Sequence, residues 1–388
     1  MKRFSIALAI AVCAVCAVLA INIGAVYAGA EGSAIPELTI ADKFSGDPVS
    51  LSLAQAIARY QIVGKEVGKA VSGRDKAAAV AKGMDVPAQR REFARVQGPL
   101  NYQAQMNSMT EKVTTAYYLV LQCREFLDAE QENYKRYYSL AMEIGNLVEE
   151  TTAWLKVDRS TLIYGEEIAK KQAELQIYKE DYDEVIQDLA AVKTSAEAFA
   201  VDLEAAAMKF NAMMDYDIMR KIVLTDKLPD PVMPTVAVGA AVKDALTNRN
   251  EIKGAAHRII MESLNLNKLK LLFPPDSEEY LDQTEAVADA KDAYAQYLKD
   301  VEIEIRDQYS RVELYHTGYK DTMATKSSLP AGKKYVVRDE KSNLSAVKKG
   351  FTDAYGLSLK LINYKTLFAL AAGQFENAIS NGTAMAAI

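Results

Sequence analysis

Leu175, Tyr178, Tyr182, Val185, Leu189, Val192, Ala196, Phe199, Leu203, Ala206 and Phe210 fall at alternating steps of three and four. That spacing puts every one of them on a single helical face and repeats each seven positions, the pattern of a coiled-coil seam. A second seam runs through Val113, Ala116, Val120, Cys123, Leu127, Tyr134, Tyr137, Ala141, Ile144 and Val148, with Glu130 the one residue out of pattern. A helix from 110 to 150 would span roughly 60 Å at about 1.5 Å per residue, well beyond an ordinary globular helix. The chain is therefore expected to build long helices side by side. Such rods scaffold, span or line a conduit.

The chain has 388 residues, of which 50% are hydrophobic, enough to bury a large interface. It opens with Lys2 and Arg3, an apolar run from Phe4 to Val26, and the small residues Ala28-Gly29-Ala30. This order reads as a secretory signal over 1–28, with an uncleaved anchor as the alternative. Val12 and Val15 precede Cys13 and Cys16 where a lipoprotein signal wants a small residue, so lipidation is not expected. The whole chain carries 46 basic and 52 acidic residues; without Lys2 and Arg3 the balance is 44 to 52, a net of −8. Nothing in that balance favours nucleic acid. Cys123 is then the only cysteine, which rules out an intramolecular disulfide.

Residues 29–48 carry no periodicity and read as an extended lead-in, and helix is expected from near Leu51. Between Phe210 and Val236 the period lapses, and Leu228-Pro229-Asp230-Pro231-Val232-Met233-Pro234 is impassable to a helix. This divides the mature chain into a first helical repeat over 49–227, a linker over 228–235 and a second repeat over 236–388. The repeats open alike, with Leu53, Ala56, Ile57 and Val63 in one and Val238, Val242, Ala245, Ile252, Ala256 and Ile259 in the other. Each later has a helix that enters a tyrosine, Val113 to Tyr118 and Ile303 to Tyr309. An internal duplication of a helical unit is the economical reading. Gly98-Pro99 and Phe273-Pro274-Pro275-Asp276 are expected to break the first helical run of each repeat. Periodicity lapses again over 153–160 and 326–345, and the second gap, with Leu329-Pro330-Ala331-Gly332 and Tyr335-Val336-Val337, reads as an exposed loop or small flap with solvated charges.

This arrangement resembles the TolC-like outer-membrane efflux family. Leu51-Ser52-Leu53-Ala54-Gln55-Ala56-Ile57 is similar to the opening of the family's first repeat. Ala245-Leu246-Thr247-Asn248-Arg249-Asn250-Glu251-Ile252-Lys253 is similar to that of the second, with Asn250 where the family usually has proline. Val113 to Tyr118 and Val301 to Tyr309 resemble the family's paired helices leading into the long hairpins. Phe210 to Met214 with Leu224-Thr225-Asp226 resembles the link between halves. Tyr355-Gly356-Leu357-Ser358 with Phe375-Glu376-Asn377-Ala378 resembles the second hairpin's tip and returning helix. The resemblance implies an all-α fold of two tandem, long antiparallel coiled-coil hairpins. It further implies a homo-oligomer, a trimer in the family, located in the outer membrane or periplasm, or at the cell surface where no outer membrane exists. The hairpin tips would meet a membrane-fusion adaptor of an inner-membrane pump, here through Trp154, Leu155, Asp158 and Arg159 at one tip and Gly356, Leu357 and Ser358 at the other.

The departures shape the expectation. The family places two long strands between the helices of each repeat for its barrel, and a membrane strand needs roughly ten alternating residues. Phe273 to Thr284 is too short, Pro-broken and acidic for such a pair. Leu100 to Asn107 alternates like a strand, but its neighbour Gln89 to Arg95 does not, and one strand cannot close a barrel. The expected fold therefore has little or no β-barrel. No phosphate loop, catalytic triad or Cys/His metal spacing appears, and His257 and His316 are the only histidines. No enzyme, cofactor or metal is expected. The sequence leaves two functions in view: a conduit or sleeve for solute export, and a secreted helical scaffold that keeps the fold and conducts nothing.

Overall fold

The computed structural model describes residues 35, 37–156 and 165–380. The signal segment 1–28, and Asp158 and Arg159 of the first tip, lie outside the described residues. Everything below concerns the helical body formed from residue 37 onward.

The first repeat begins with a short strand, β1 (Ser45–Leu51), followed by α1 (Leu53–Val63) and α2 (Lys65–Lys82). Ser52 starts α1 with a capping box: its hydroxyl accepts from the Gln55 N–H while the Gln55 side chain accepts from the Ser52 N–H. At Gly64 the chain leaves helical geometry for one residue, with φ −65° and ψ 122°, and bends into α2. A side chain there would meet the Tyr60 carbonyl at 2.7 Å, so only glycine fits the bend.

Next come α3 (Ala88–Lys156, 69 residues) and α4 (Gly165–Met213, 49 residues), which pair antiparallel over most of their length. The seam residues do what their spacing requires. Val113, Ala141 and Ile144 of α3 and Val185, Leu189 and Ala196 of α4 are 0% exposed. Phe126 meets Phe199 with ring centres 5.8 Å apart, and Gly145 lets the Tyr182 ring approach.

α3 corrects two expectations. It runs through Gly98-Pro99 without a break and takes in Leu100 to Asn107 as helix, not strand. Proline at 99 removes one backbone donor, but the cost is local, and the helix is held there by its neighbours. A Cβ at Gly98 would lie 2.7 Å from that of Ala77 on α2, so glycine serves close helix packing rather than a turn. The Asn250 side-chain amide donates to the Leu100 carbonyl at 2.7 Å, docking the second repeat onto the same stretch.

After α4 the strand β2 (Arg220–Leu224) returns to pair in parallel with β1, in the register Val49 to Ile222 and Leu51 to Leu224. The second repeat then reproduces the first. α5 (Val238–Asn248) has 11 residues, as α1 has; one non-helical residue, Arg249 at φ −66° and ψ 143°, bends it into α6 (Asn250–Leu269). α7 (Glu278–Ser327) and α8 (Leu344–Ser380) form the second hairpin, joined through the small ribbon β3 (Val337–Arg338) and β4 (Lys341–Ser342). Tyr309 packs on Phe375 in this hairpin as Tyr117 packs on Phe210 in the first. Gly318 accommodates the Tyr364 ring as Gly145 does Tyr182. Each repeat has its own core, centred on Tyr117, Leu121 and Phe210 in the first and on Ile305, Val312 and Phe375 in the second.

The fold is thus all-α in substance, two tandem long antiparallel hairpins. Among the described residues the four strands form two separate two-stranded sheets, and no barrel closes. Where barrel strands would stand, α2 turns into α3 over 83–87 and α6 into α7 over 270–277.

Candidate functional site

The node that joins the halves is built around Asp226. Its Oδ2 accepts from the Leu53 N–H at 2.7 Å, at the start of α1, and lies 2.9 Å from the Tyr117 hydroxyl. That hydroxyl also lies 3.1 Å from the Leu51 carbonyl, and Arg124 donates to the Leu224 and Asp226 carbonyls at 3.2 and 3.3 Å. Burial, helped by the Asp226 carboxylate, pushes the Tyr117 phenol up to about 12. The motifs at 113–118 and 224–226 therefore meet in space, and their role is to pin the link between halves onto α3.

In the second repeat Arg249 occupies the bend between α5 and α6 and is 2% exposed. It pairs with Glu251, and with Glu304 of α7 at 2.8 Å, and donates to the Ala378 carbonyl of α8 at 3.3 Å. A buried guanidinium must be matched on every side or it destabilises the fold. Arg249 is matched by three elements at once, so it fixes how α6, α7 and α8 meet at the end of α5.

Glu130, the residue that breaks the first seam, is 2% exposed at the junction of the two hairpins. Burial raises its carboxyl, and hydrogen bonds from Tyr355 of α8, Ser195 of α4 and Asn133 oppose that rise. Its Oε2 has no partner. A buried acid in a coiled-coil seam costs stability and sets register.

The tips lie at the other end of the hairpins from the 83–87 and 270–277 turns. Trp154 and Leu155 sit half-buried in the last turn of α3. Gly356, Leu357 and Ser358 do not form a tip: they lie well inside α8, and Ser358 Oγ accepts from Lys326 at 3.0 Å. The second hairpin instead turns over 328–343. The family resemblance places Gly356 at a tip, yet it lies in the continuous helix α8 with open space at its Cβ position.

The 328–343 segment is also more than a solvated flap. Tyr335 is 3% exposed; its hydroxyl donates to Asp181 of α4 at 2.7 Å and its ring lies 6.3 Å from that of Tyr178. Burial and the Asp181 carboxylate both push its phenol up. Lys348, just inside α8, pairs with Glu184 at 2.5 Å and with Asp188. The turn of the second hairpin therefore clasps the side of the first at the level of residues 178–188. A cleft of about 740 Å³ opens beside it, lined in part by Tyr138, Met142, Glu150, Tyr178 and Val336. The sequence reading of Tyr335-Val336-Val337 as an exposed loop or small flap misses this contact, because its partner Asp181 lies 154 residues away.

His257 and His316 lie against Phe93 and Phe368, with ring centres 6.1 and 6.2 Å apart. Burial lowers the His316 imidazole, with Lys320 adding to the effect. Burial pushes the Cys123 thiol up to about 11, which keeps it unreactive. Among the described residues no group of three metal-ligating side chains gathers, and no helix is long and apolar enough to cross a membrane.

Tandem hairpins, each opened by a bent helix pair and joined by an extended link, define a TolC-like fold without the closed barrel. No protein-family model and no curated protein matches the sequence. Solved structures do match in fold. A membrane protein from Pseudomonas aeruginosa superposes with TM-score 0.54 at 10% identity, over 90% of this chain and 99% of its own. CusC, reported with its conformational changes during folding and transmembrane channel formation, matches with TM-score 0.54 at 9% identity, over 91% of this chain and 99% of its own. This chain has the fold of those two proteins.

Proposed function

We propose that the chain is a cell-envelope component of an efflux or secretion system, forming an oligomeric helical conduit or sleeve for solute export. The observation that carries this is the fold match to CusC, a protein of transmembrane channel formation, across nearly the whole chain. Exposed apolar residues along the hairpins support self-assembly: Val201 is 58% exposed, Ile303 65% and Leu314 63%. We take the assembly as a trimer by resemblance, with 1–28 a secretory signal, 49–227 and 236–388 the two repeats and 228–235 the linker. Transport along such a tube is passive, and the chain has no enzymatic role. Trp154, Leu155, Asp158 and Arg159 are the proposed adaptor contact. On the second hairpin the 328–343 turn takes the place assigned by sequence to Gly356, Leu357 and Ser358.

Export of a solute by cells carrying the gene, lost on its deletion and restored by the intact chain, tests the reading. Flux unchanged by deletion contradicts it. A second reading, a secreted scaffold that keeps the fold and conducts nothing, is favoured by the unclosed barrel among the described residues.

A further inference from the structure

Where α3 packs along α8, a cleft of about 350 Å³ opens between the repeats, bounded also by Leu53 at the start of α1 and by Pro229 of the linker. That volume is in the range of small-molecule sites, about 300–1,000 Å³. α8 presents small residues to it, Ala369, Ala372 and Gly373. A Cβ added at Gly373 meets nothing within 4 Å, so the space beside this turn of α8 is open.

The lining has one chemical character. Among the described residues no lysine, arginine or histidine lines the cleft, while Glu111 of α3 and Glu376 of α8 both do. The Thr114 hydroxyl donates its proton to the Thr110 carbonyl at 2.9 Å, and that of Thr110 to the Met106 carbonyl at 3.1 Å, so both oxygens are left as acceptors. The Gln374 amide donates to Glu111 Oε1 at 2.9 Å, holding that carboxylate against α8. The first N–H of α1, which would favour an anion, is already taken by Asp226 Oδ2. Tyr118 adds a half-buried ring, set edge-on to Tyr117 with centres 6.2 Å apart. Burial pushes its phenol up, and the charges that add to this, Asp226 and Glu376, are both carboxylates.

We propose that this cleft binds a primary organic ammonium ion with an apolar body about one ring in size. Glu111, Glu376 and the threonine oxygens accept its N–H donors, and its carbon body lies against Tyr118, Ala369 and Ala372. A charge leaves water only where it is paired and hydrogen-bonded, and here the acceptors stand ready on both helices. The face of a tyrosine ring adds attraction for a cation and for no other charge type. An anion would meet two carboxylates and no cation. The assignment stands on the cleft alone and holds whether or not the chain conducts a solute.

Calorimetric titration of the full chain with phenethylammonium chloride tests it. Binding should saturate at one ion per chain, while phenethyl alcohol and phenylacetate, the neutral and anionic counterparts, should not saturate. Glu376 is exposed, so Glu376→Gln leaves the fold intact and should weaken binding about three- to fivefold. Gly373→Leu fills the open space and should abolish saturation while melting no lower than the parent, because leucine is the better helix former. Glu197→Gln, exposed on α4, should bind like the parent. Absence of saturation with the ammonium ion, equal binding of the alcohol, or unchanged binding in a folded Gly373→Leu variant overturns the proposal. If Gly373→Leu does not fold, Glu376→Gln decides, and binding equal to the parent's overturns it.

Discussion

Tyr117 and Glu130 show opposite ways of burying a polar side chain in a seam. The Tyr117 hydroxyl shares its one proton between Asp226 Oδ2 at 2.9 Å and the Leu51 carbonyl at 3.1 Å and accepts from the Asp226 N–H at 3.4 Å. Tyr117→Phe strips a partner from both and is expected to cost about 1–2 kcal/mol in chemical unfolding; an unchanged midpoint would mean the node is not closed. Glu130 has an oxygen with no partner and a carboxyl raised by burial. Because its folded pKa lies above its unfolded value, its contribution is present below about pH 4.5 and is lost as pH rises through the folded pKa. Glu130→Gln should therefore melt higher than the parent at pH 8, with the gain shrinking toward pH 4. A variant less stable than the parent at pH 8 would show that the charge is solvated. Glu130 was visible in the sequence as the one break in a heptad run; the partners that hold it, on α4 and α8, were not, because they come from distant segments.

At the scale of elements, the seams were legible because a heptad repeat states which face is buried. Leu189 is 0% exposed, and Leu189→Asp should cost several kcal/mol, about 3–5, by burying an unpaired charge. Melting like the parent would mean α3 and α4 do not pack as described. The break at Pro99 was misread for a physical reason: proline and glycine signal a turn locally, but in a 69-residue helix braced by α2 and α6 their cost is absorbed. Pro99→Ala should raise stability by up to about 3 kcal/mol if the proline serves no packing role, read by thermal unfolding. A loss would show that Pro99 contributes to the packing where Asn250 meets the Leu100 carbonyl. The bends at Gly64 and Arg249 also escaped the sequence reading, since a single non-helical residue barely disturbs an amphipathic pattern. Residues 356–358 differ from the expectation because the resemblance matches a short motif and not the hairpin's length, and α8 already begins at Leu344.

For the whole molecule, the duplicated architecture and the absence of a closed barrel among the described residues could both be read from order and length: the gap at 273–284 is too short for strands, whatever its composition. The clasp of Tyr335 and Lys348 on the first hairpin could not, because it joins segments some 150 residues apart through two short contacts. The proposed conduit depends on assembly, because a tube needs several chains meeting through exposed apolar residues such as Val201, Ile303 and Leu314. The most direct measurement is the mass and symmetry of the purified, signal-free chain, by light scattering across a concentration series and by electron microscopy of the particles. The account predicts a closed ring, three chains around one axis with the hairpins parallel to it. A monomer at every concentration would contradict it.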